Sequence, residues 1–453
     1  MAENSPARRD FDSRSIRSAF AVNQAIRFLS YIYFGFLLVS CSGRQLEVPQ
    51  SFFDPRPPAE WVFTSGKVVT VDSSFSIKEA VAIKNGRFVA VGTDGEMRRW
   101  IGPRTTVVNL AGRMMIPGLI DSHIHATVAG LTWNSELHWE SVRSLAEGLK
   151  LIEAAARDKP AGTWIVVGGG WAPAQFPEKR LPTRAELDAV APKHPVYVQY
   201  LRQAAVLNSA GLVAAGIDGK VAEPQGGKFE RDPSSGELTG VLQGVPAWEA
   251  AYAKIPRPTL EEVRQSLDNC FRELNRLGLT SVADIQTSGV TFAHRRLLAD
   301  MASRGELSIR LDYYVAPNEP GDELEQLRLA AEQVNQLPSN DLFRFAGFAE
   351  TLIRGTGDGD VLSNPNGITV ESEPKEKFRK LLQFFAEAGY NFHLHTTQDN
   401  TARQLLGVIE EVNRETPSPD SESLSPISKM RPQRLSRASK SSVAEFRCRT
   451  AWS

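Results

Sequence analysis

The stretch Pro117-Gly118-Leu119-Ile120-Asp121-Ser122-His123-Ile124-His125 holds the residues whose type and spacing point most directly to chemistry. In an extended strand, residues two apart face the same side with their Cα atoms ~6.5–7 Å apart. Two imidazoles set that way at a strand end converge on one cation, and neutral imidazole is a good ligand for Zn²⁺. A bare His-x-His pair often arises by chance, as two polar residues at a strand mouth. The apolar run leading into this one, its Pro-Gly pair and Asp121 two residues before His123 favour metal binding. Cys41, Cys270 and Cys448 are too few for a disulfide framework or a thiolate cluster. A metal here is therefore held by His, carboxylate or a modified Lys. Gly168-Gly169-Gly170 follows a strand but leads into Trp171-Ala172-Pro173, which makes a poor phosphate cradle.

Ligands on a strand end need a sheet to hold them. Apolar runs recur at 114–120, 163–167, 195–200, 280–285, 307–315, 342–348 and 390–395, with helical stretches between them. Thr183-Arg184-Ala185-Glu186 and Thr259-Leu260-Glu261-Glu262 are capping boxes, and Gly278 and Gly389 sit where helix C-caps belong. This alternation predicts an α/β body with a parallel sheet, as a barrel or a doubly wound layer. Before it, residues 61–72, 80–85 and 87–92 are short β-rich runs that predict a small antiparallel sheet. The chain has 453 residues, 52 basic against 53 acidic, a length that allows two or three domains. So even a charge balance leaves no footprint for nucleic acid.

Several of these segments resemble one known family. MMIPGLIDSHIHA looks like the first barrel strand of the amidohydrolase superfamily. Gly170-Trp171, LPTRAELDAVAP (181–192), VLNSAGL (206–212) and GGKFERDPSSGELTGVL (226–242) point to amidohydrolase family 3, the N-substituted formamide deformylase-like branch. The resemblance runs from about 60 to about 415 and implies a metal-dependent (β/α)₈ TIM-like barrel with a small N-terminal β-sandwich part. Active residues of such barrels sit at the C-terminal strand ends, where His123 and His125 fall. By the family's pattern, the fifth strand ends in a ligand His followed four residues later by an Asp. In Phe392-His393-Leu394-His395-Thr396-Thr397-Gln398-Asp399 this places the ligand at His395 and leaves His393 a layer deeper as a hydrogen-bonded interior histidine. The family's bridging Lys or acid at the fourth strand is replaced by Glu350, our candidate for the bridging carboxylate or else an acid capping a strand–loop junction. Asp121, Asp284, Trp171 and Asp399 are candidates for substrate contact or for supporting the ligands, with Gln286 beside Asp284. Tyr200-Leu201-Arg202-Gln203 departs from the Gly-His pair common in relatives. His138, His194 and His294 read as surface residues.

The resemblance implies a divalent metal, zinc first, as one or two ions. It also implies hydrolysis of a non-peptide carbon–nitrogen bond in a small amide or formamide. In the superfamily a further ligand His lies at the sixth strand and a proton-transferring Asp at the eighth. Neither is found after His395, so the barrel is expected to be incomplete, with its last strands missing. The rival reading is a truncated, non-catalytic, membrane-tethered relative.

The expected organisation is an export segment at 1–41, a linker at 42–58, sandwich strands at 59–116, the partial barrel at 117–416 and a tail at 417–453. Phe28–Ser40 is an uncharged apolar run of 13 residues, short for a span and suited to a signal h-region. Leu38-Val39-Ser40-Cys41 resembles a lipobox, which implies a lipid anchor on Cys41 and a place in the bacterial cell envelope. The tail, rich in Ser and Arg, is expected to be disordered or the product of a frameshift. Codons able to encode Ser425–Arg431 permit, one base earlier, an apolar strand ending in His.

Overall fold

The computed structural model describes residues 57–415, apart from 287–288, 319–320 and 359–365. The export segment, the lipobox at Cys41 and the tail lie outside the described residues. Among the described residues, no helix is long and apolar enough to cross a membrane.

Two compact units divide at Pro117/Gly118. The first contains β1 (Trp61–Thr64), β2 (Lys67–Val69), β3 (Ile77–Lys78), β4 (Ala80–Lys84), β5 (Arg87–Gly92), the short helix α1 (Asp94–Met97), β6 (Thr106–Asn109) and β7 (Met114–Met115). They make a four-stranded sheet, β5-β4-β1-β6, and a three-stranded one, β3-β2-β7. Val62, Ala80, Ala82, Met97 and Trp100 form its small core. Thr93 caps α1 through a capping box with Glu96.

The second unit opens with β8 (Leu119–Ile124) and α2 (Ala126–Thr132). There follow α3 (Leu145–Asp158), β9 (Ile165–Val167), α4 (Arg184–Val190), β10 (Val196–Tyr200), β11 (Ala204–Leu207), α5 (Ser209–Ala215), β12 (Lys228–Arg231), β13 (Leu238–Gln243) and α6 (Val245–Tyr252). The chain then runs through α7 (Leu260–Arg276), β14 (Leu279–Ile285), α8 (Phe292–Ser303), β15 (Arg310–Val315), α9 (Glu323–Val334), β16 (Phe343–Phe348), α10 (Ser372–Ala388) and α11 (Asp399–Glu415). Strands β16-β15-β14-β8 form one parallel sheet, so the strands carrying the expected site residues are neighbours in chain order. Residues 391–395 extend it: Phe348 N–H donates to Asn391 O, His393 N–H to Phe348 O and His395 N–H to Glu350 O. Gly347 makes this approach possible. Its φ is +150°, and a Cβ there would lie 2.3 Å from Asn391 O. Among the described residues this sheet is an open arc and does not close.

One expectation needs correcting. The runs at 163–167 and 195–200 are not barrel strands. They become β9 and β10 of a separate five-stranded sheet, β12-β13-β11-β10-β9, inserted between β8 and β14. Ile165, Val167, Val196 and Val198 pack with Trp139 and Leu145 on one face, while Val166, Tyr197 and Ala205 pack with Phe229 and Trp248 on the other. A strand buried on both faces reads as a continuous apolar run, as a barrel strand does, so periodicity could not separate the two.

The Asn-Ser pair of VLNSAGL has a structural role in that sheet. Asn208 is fully buried and caps α5: Oδ1 accepts from Gly211 N–H at 2.7 Å and Val196 N–H at 2.9 Å. Its Nδ2 donates to Ala191 O at 3.1 Å and His194 O at 2.9 Å. Asn208→Ala takes a partner from four buried backbone groups, of which Ala191 O keeps a second one in His194 N–H, and is expected to destabilise the chain by ~2–4 kcal/mol, read as a lowered urea midpoint. A loss under ~1 kcal/mol would contradict this account.

Glu136 pairs through its backbone with Val166 beside β9, and its carboxylate lies against the Cα of Gly168. Burial raises its carboxyl pKa against a hydrogen bond from Thr132. A raised folded-state value means the folded chain holds the proton to higher pH than the unfolded chain, so this group lowers stability as pH rises. Glu136→Gln is expected to melt above the parent near neutrality, the gap closing below about pH 4, where unfolded-state Glu is also protonated. A constant gap across pH would exclude burial of the charge as the cause.

Candidate metal centre

His123 stands near the C-terminal end of β8 and His125 at its exit, as the residue preceding α2. Asp121 Oδ1 accepts from His123 N–H at 3.0 Å and steadies the strand end. Glu350 follows β16 and is 8% exposed. The alternation of β8 turns both imidazoles toward that carboxylate: His123 Nε2 lies 3.5 Å from Oε1 and His125 Nε2 lies 3.6 Å from Oε2. One donor atom from each of the three falls within 4.8 Å of the others. His395, in register with Glu350 through the backbone bond above, hydrogen-bonds Glu350 Oε1 through Nδ1.

The second ring nitrogens are also engaged. His125 Nδ1 donates to Ile285 O at 2.5 Å, leaving the Nε2 lone pair toward Glu350. A 3.0 Å hydrogen bond joins His123 Nδ1 to His393 Nε2. His393 is buried, so it occupies the interior, hydrogen-bonded position expected of it. Burial opposes ionisation of Glu350, but hydrogen bonds from His123 and His395, with the nearby imidazoles, hold its carboxyl well below the usual carboxylate range. Two imidazoles and an ionised carboxylate form a nitrogen–oxygen donor set that suits zinc or a similar divalent ion.

Other expected residues fall elsewhere. Trp171 is buried in an aromatic cluster with Trp139, Phe176 and Tyr200, packing the inserted sheet. Asp399 opens α11 on the solvent side and pairs with Arg403 at 3.3 Å. It is four residues past His395, but the helix turns it outward. Asp284 and Gln286 are fully buried behind His125. His194, read as a surface residue, is buried and bonded through Nδ1 to Thr163 O. Sequence reasoning missed Asp358. It is fully buried and accepts from Thr397 N–H and Gln398 N–H, fixing the loop that follows His395. Its place in a long loop gave no periodic signal.

A parallel β/α sheet whose C-terminal strand ends gather two imidazoles and a carboxylate is the framework of a metal-dependent β/α-barrel protein. The chain belongs to the amidohydrolase family, which it matches over residues 106–445. It is 33% identical over 371 residues to Protein LONG AFTER FAR-RED 3 of Arabidopsis thaliana, covering 78% of this chain and 61% of that protein. It is 34% identical over 225 residues to the N-substituted formamide deformylase of Arthrobacter pascens, covering 49% of this chain and 41% of that enzyme. The chain thus spans less than two thirds of either relative. An uncharacterized metal-dependent hydrolase from Pyrococcus horikoshii OT3 shares the fold, with a TM-score of 0.54 at 20% identity over 78% of this chain and 68% of that one.

Proposed function

We propose that this chain hydrolyses a carbon–nitrogen bond in a small non-peptide amide or formamide. In this reading a divalent cation, zinc first, is held by His123, His125 and Glu350, with His395 hydrogen-bonded to Glu350 Oε1 beside them. One observation carries it: the two oxygens of one buried carboxylate each face the Nε2 of a different imidazole from a single strand end. A divalent ion bound there supplies Lewis acidity to a scissile carbonyl and to water at neutral pH.

The chain's own residues do the rest. Glu350 provides the negative charge that a dication requires, held ionised by its histidine partners. Ile285 O accepts from His125 Nδ1, which directs the Nε2 lone pair of the neutral ring to the cluster. The His125 side chain is 42% exposed, which leaves an approach for substrate from solvent. The named activity of the Arthrobacter relative supports formamides as the first substrates to test.

The test is metal analysis of the full chain with assays for formate and amine release from N-substituted formamides and N-acyl amines. The expected result is about one or two zinc ions per chain and product formation lost on chelation. A zinc-loaded chain that releases neither product would overturn the hydrolytic reading.

A further inference from the structure

Helix α2 begins directly after His125, yet His125, at its N-cap position, gives the helix no side-chain hydrogen bond. The first N–H groups of a helix need partners from outside it. Here the partner is on the neighbouring strand. Asp284, on β14 and in register with Ile124, accepts from Thr127 N–H at 2.9 Å through Oδ1 and from the Thr127 hydroxyl through Oδ2. Oδ2 also accepts from Gln286 Nε2 at 3.1 Å. Gln286 Oε1 in turn accepts from Arg295 Nε at 2.9 Å, and Arg295 Nη2 donates to Val290 O at 3.1 Å.

Thr127, Asp284, Gln286 and Arg295 are all buried. A buried carboxylate is tolerated when its lone pairs are satisfied and a counter-charge is near. Thr127 and Gln286 satisfy the lone pairs, and the Arg295 guanidinium, reached through the Gln286 amide, is the counter-charge. Between Asp284 and Gln286 lies Ile285, whose carbonyl takes the His125 Nδ1 proton. The backbone on either side of His125 and its ring are thus fixed from one three-residue segment, 284–286.

We propose that Asp284 is a positioning residue of the metal centre: through Thr127 and the amide-bridged Arg295 it holds His125 as the Nδ1–H tautomer, with its Nε2 lone pair facing Glu350. The inference rests on His123, His125 and Glu350 being the cation site. Asp284→Asn keeps the shape but sets an amide N–H₂ against Gln286 Nε2, which donates to Oδ2 and cannot accept, so that the link from Asp284 through Gln286 to Arg295 is broken. Outer partners of ligand histidines typically govern 10–100-fold in metal affinity.

The experiment uses the full chain with ¹⁵N-labelled histidine, the His125 signals being identified by their loss in His125→Gln. Two quantities are read: the zinc dissociation constant, and the His125 ¹⁵N shifts in metal-free protein, which report the tautomer. The expected result for Asp284→Asn is ~10–100-fold weaker zinc binding together with a shift from the Nδ1–H pattern to a tautomer mixture. Thr127→Val should move both in the same direction by less, and Thr127→Ser should match the parent. A folded Asp284→Asn chain with zinc affinity within about twofold of the parent and an unchanged tautomer would overturn the inference. If Asp284→Asn does not fold, Thr127→Val decides on the same two readouts. A parent chain that binds no zinc overturns the cation-site reading, and the His125 shifts then still decide whether Asp284 positions that ring.

Discussion

Glu350→Gln is expected to weaken zinc binding to the full chain by at least about 100-fold, beyond the range seen when only an outer partner of a ligand is lost. Glu350 supplies the negative charge of the donor set, and each of its oxygens faces an imidazole Nε2. The amide keeps the volume but not the function. It is neutral, and its N–H₂ offers a donor to one of the nitrogens whose lone pair is wanted for the cation. A buried position magnifies the difference, since little water screens the lost charge. Glu350→Asp should fall between the two, keeping the charge but withdrawing it by one methylene. Competition against a chromophoric chelator measures all three, with circular dichroism to check that each chain is folded. A folded Glu350→Gln protein with zinc affinity within about threefold of the parent would remove Glu350 from the site.

Phe348→Ala is expected to cost ~3–5 kcal/mol of stability, the largest single effect of any core substitution considered. Phe348 closes β16 two residues before Glu350 and is fully buried. Its ring stacks on Phe385 of α10 at 5.0 Å and meets Tyr390 and Phe345 edge-on, each at 5.2 Å. Its backbone also bonds both Asn391 and His393. The cavity left by alanine therefore opens where β16 holds the segment bearing His395. Urea denaturation gives the stability change, and zinc binding by the still-folded fraction should weaken as well. Phe348→Leu, which refills most of the volume, should recover more than half of the loss. A Phe348→Ala chain as stable as the parent would mean that this aromatic cluster does not support the sheet.

What could be read in the sequence followed from signals carried within a few residues. Alternation on β8 put His123 and His125 on one side, and helix punctuation located the starts of α4 and α7 and the end of α10 at Gly389. The resemblance to a family supplied Glu350 and His395, which lie 225 and 270 residues beyond His125 and share no local pattern with it. What could not be read depends on tertiary pairing. The fully apolar β9 and β10 look like barrel strands until their neighbours are known, and the fate of Trp171 turned on which of two cores it joined. Thr127 looks like any threonine in a first helical turn, and only the arrival of Asp284 from β14 gives it a role.

Strands β8 and β14 lie side by side, although Ile124 and its register partner Asp284 are 160 residues apart in sequence. The two strands are parallel, so the chain leaves β8 at its C-terminal end and re-enters β14 at the opposite edge of the sheet, beside Leu119, one strand length (~20 Å) away. The intervening sheet is thus an excursion with its own two cores, tethered at the two opposite ends of one neighbouring strand pair. For such a loop, closure entropy grows only with the logarithm of length, about 0.6 kcal/mol per doubling. Lineages could therefore lengthen, trim or replace this excursion at small thermodynamic cost while the strand ends beneath it kept their spacing. The part of the chain best able to change its surface over evolutionary time is joined directly to the part that has to keep its geometry.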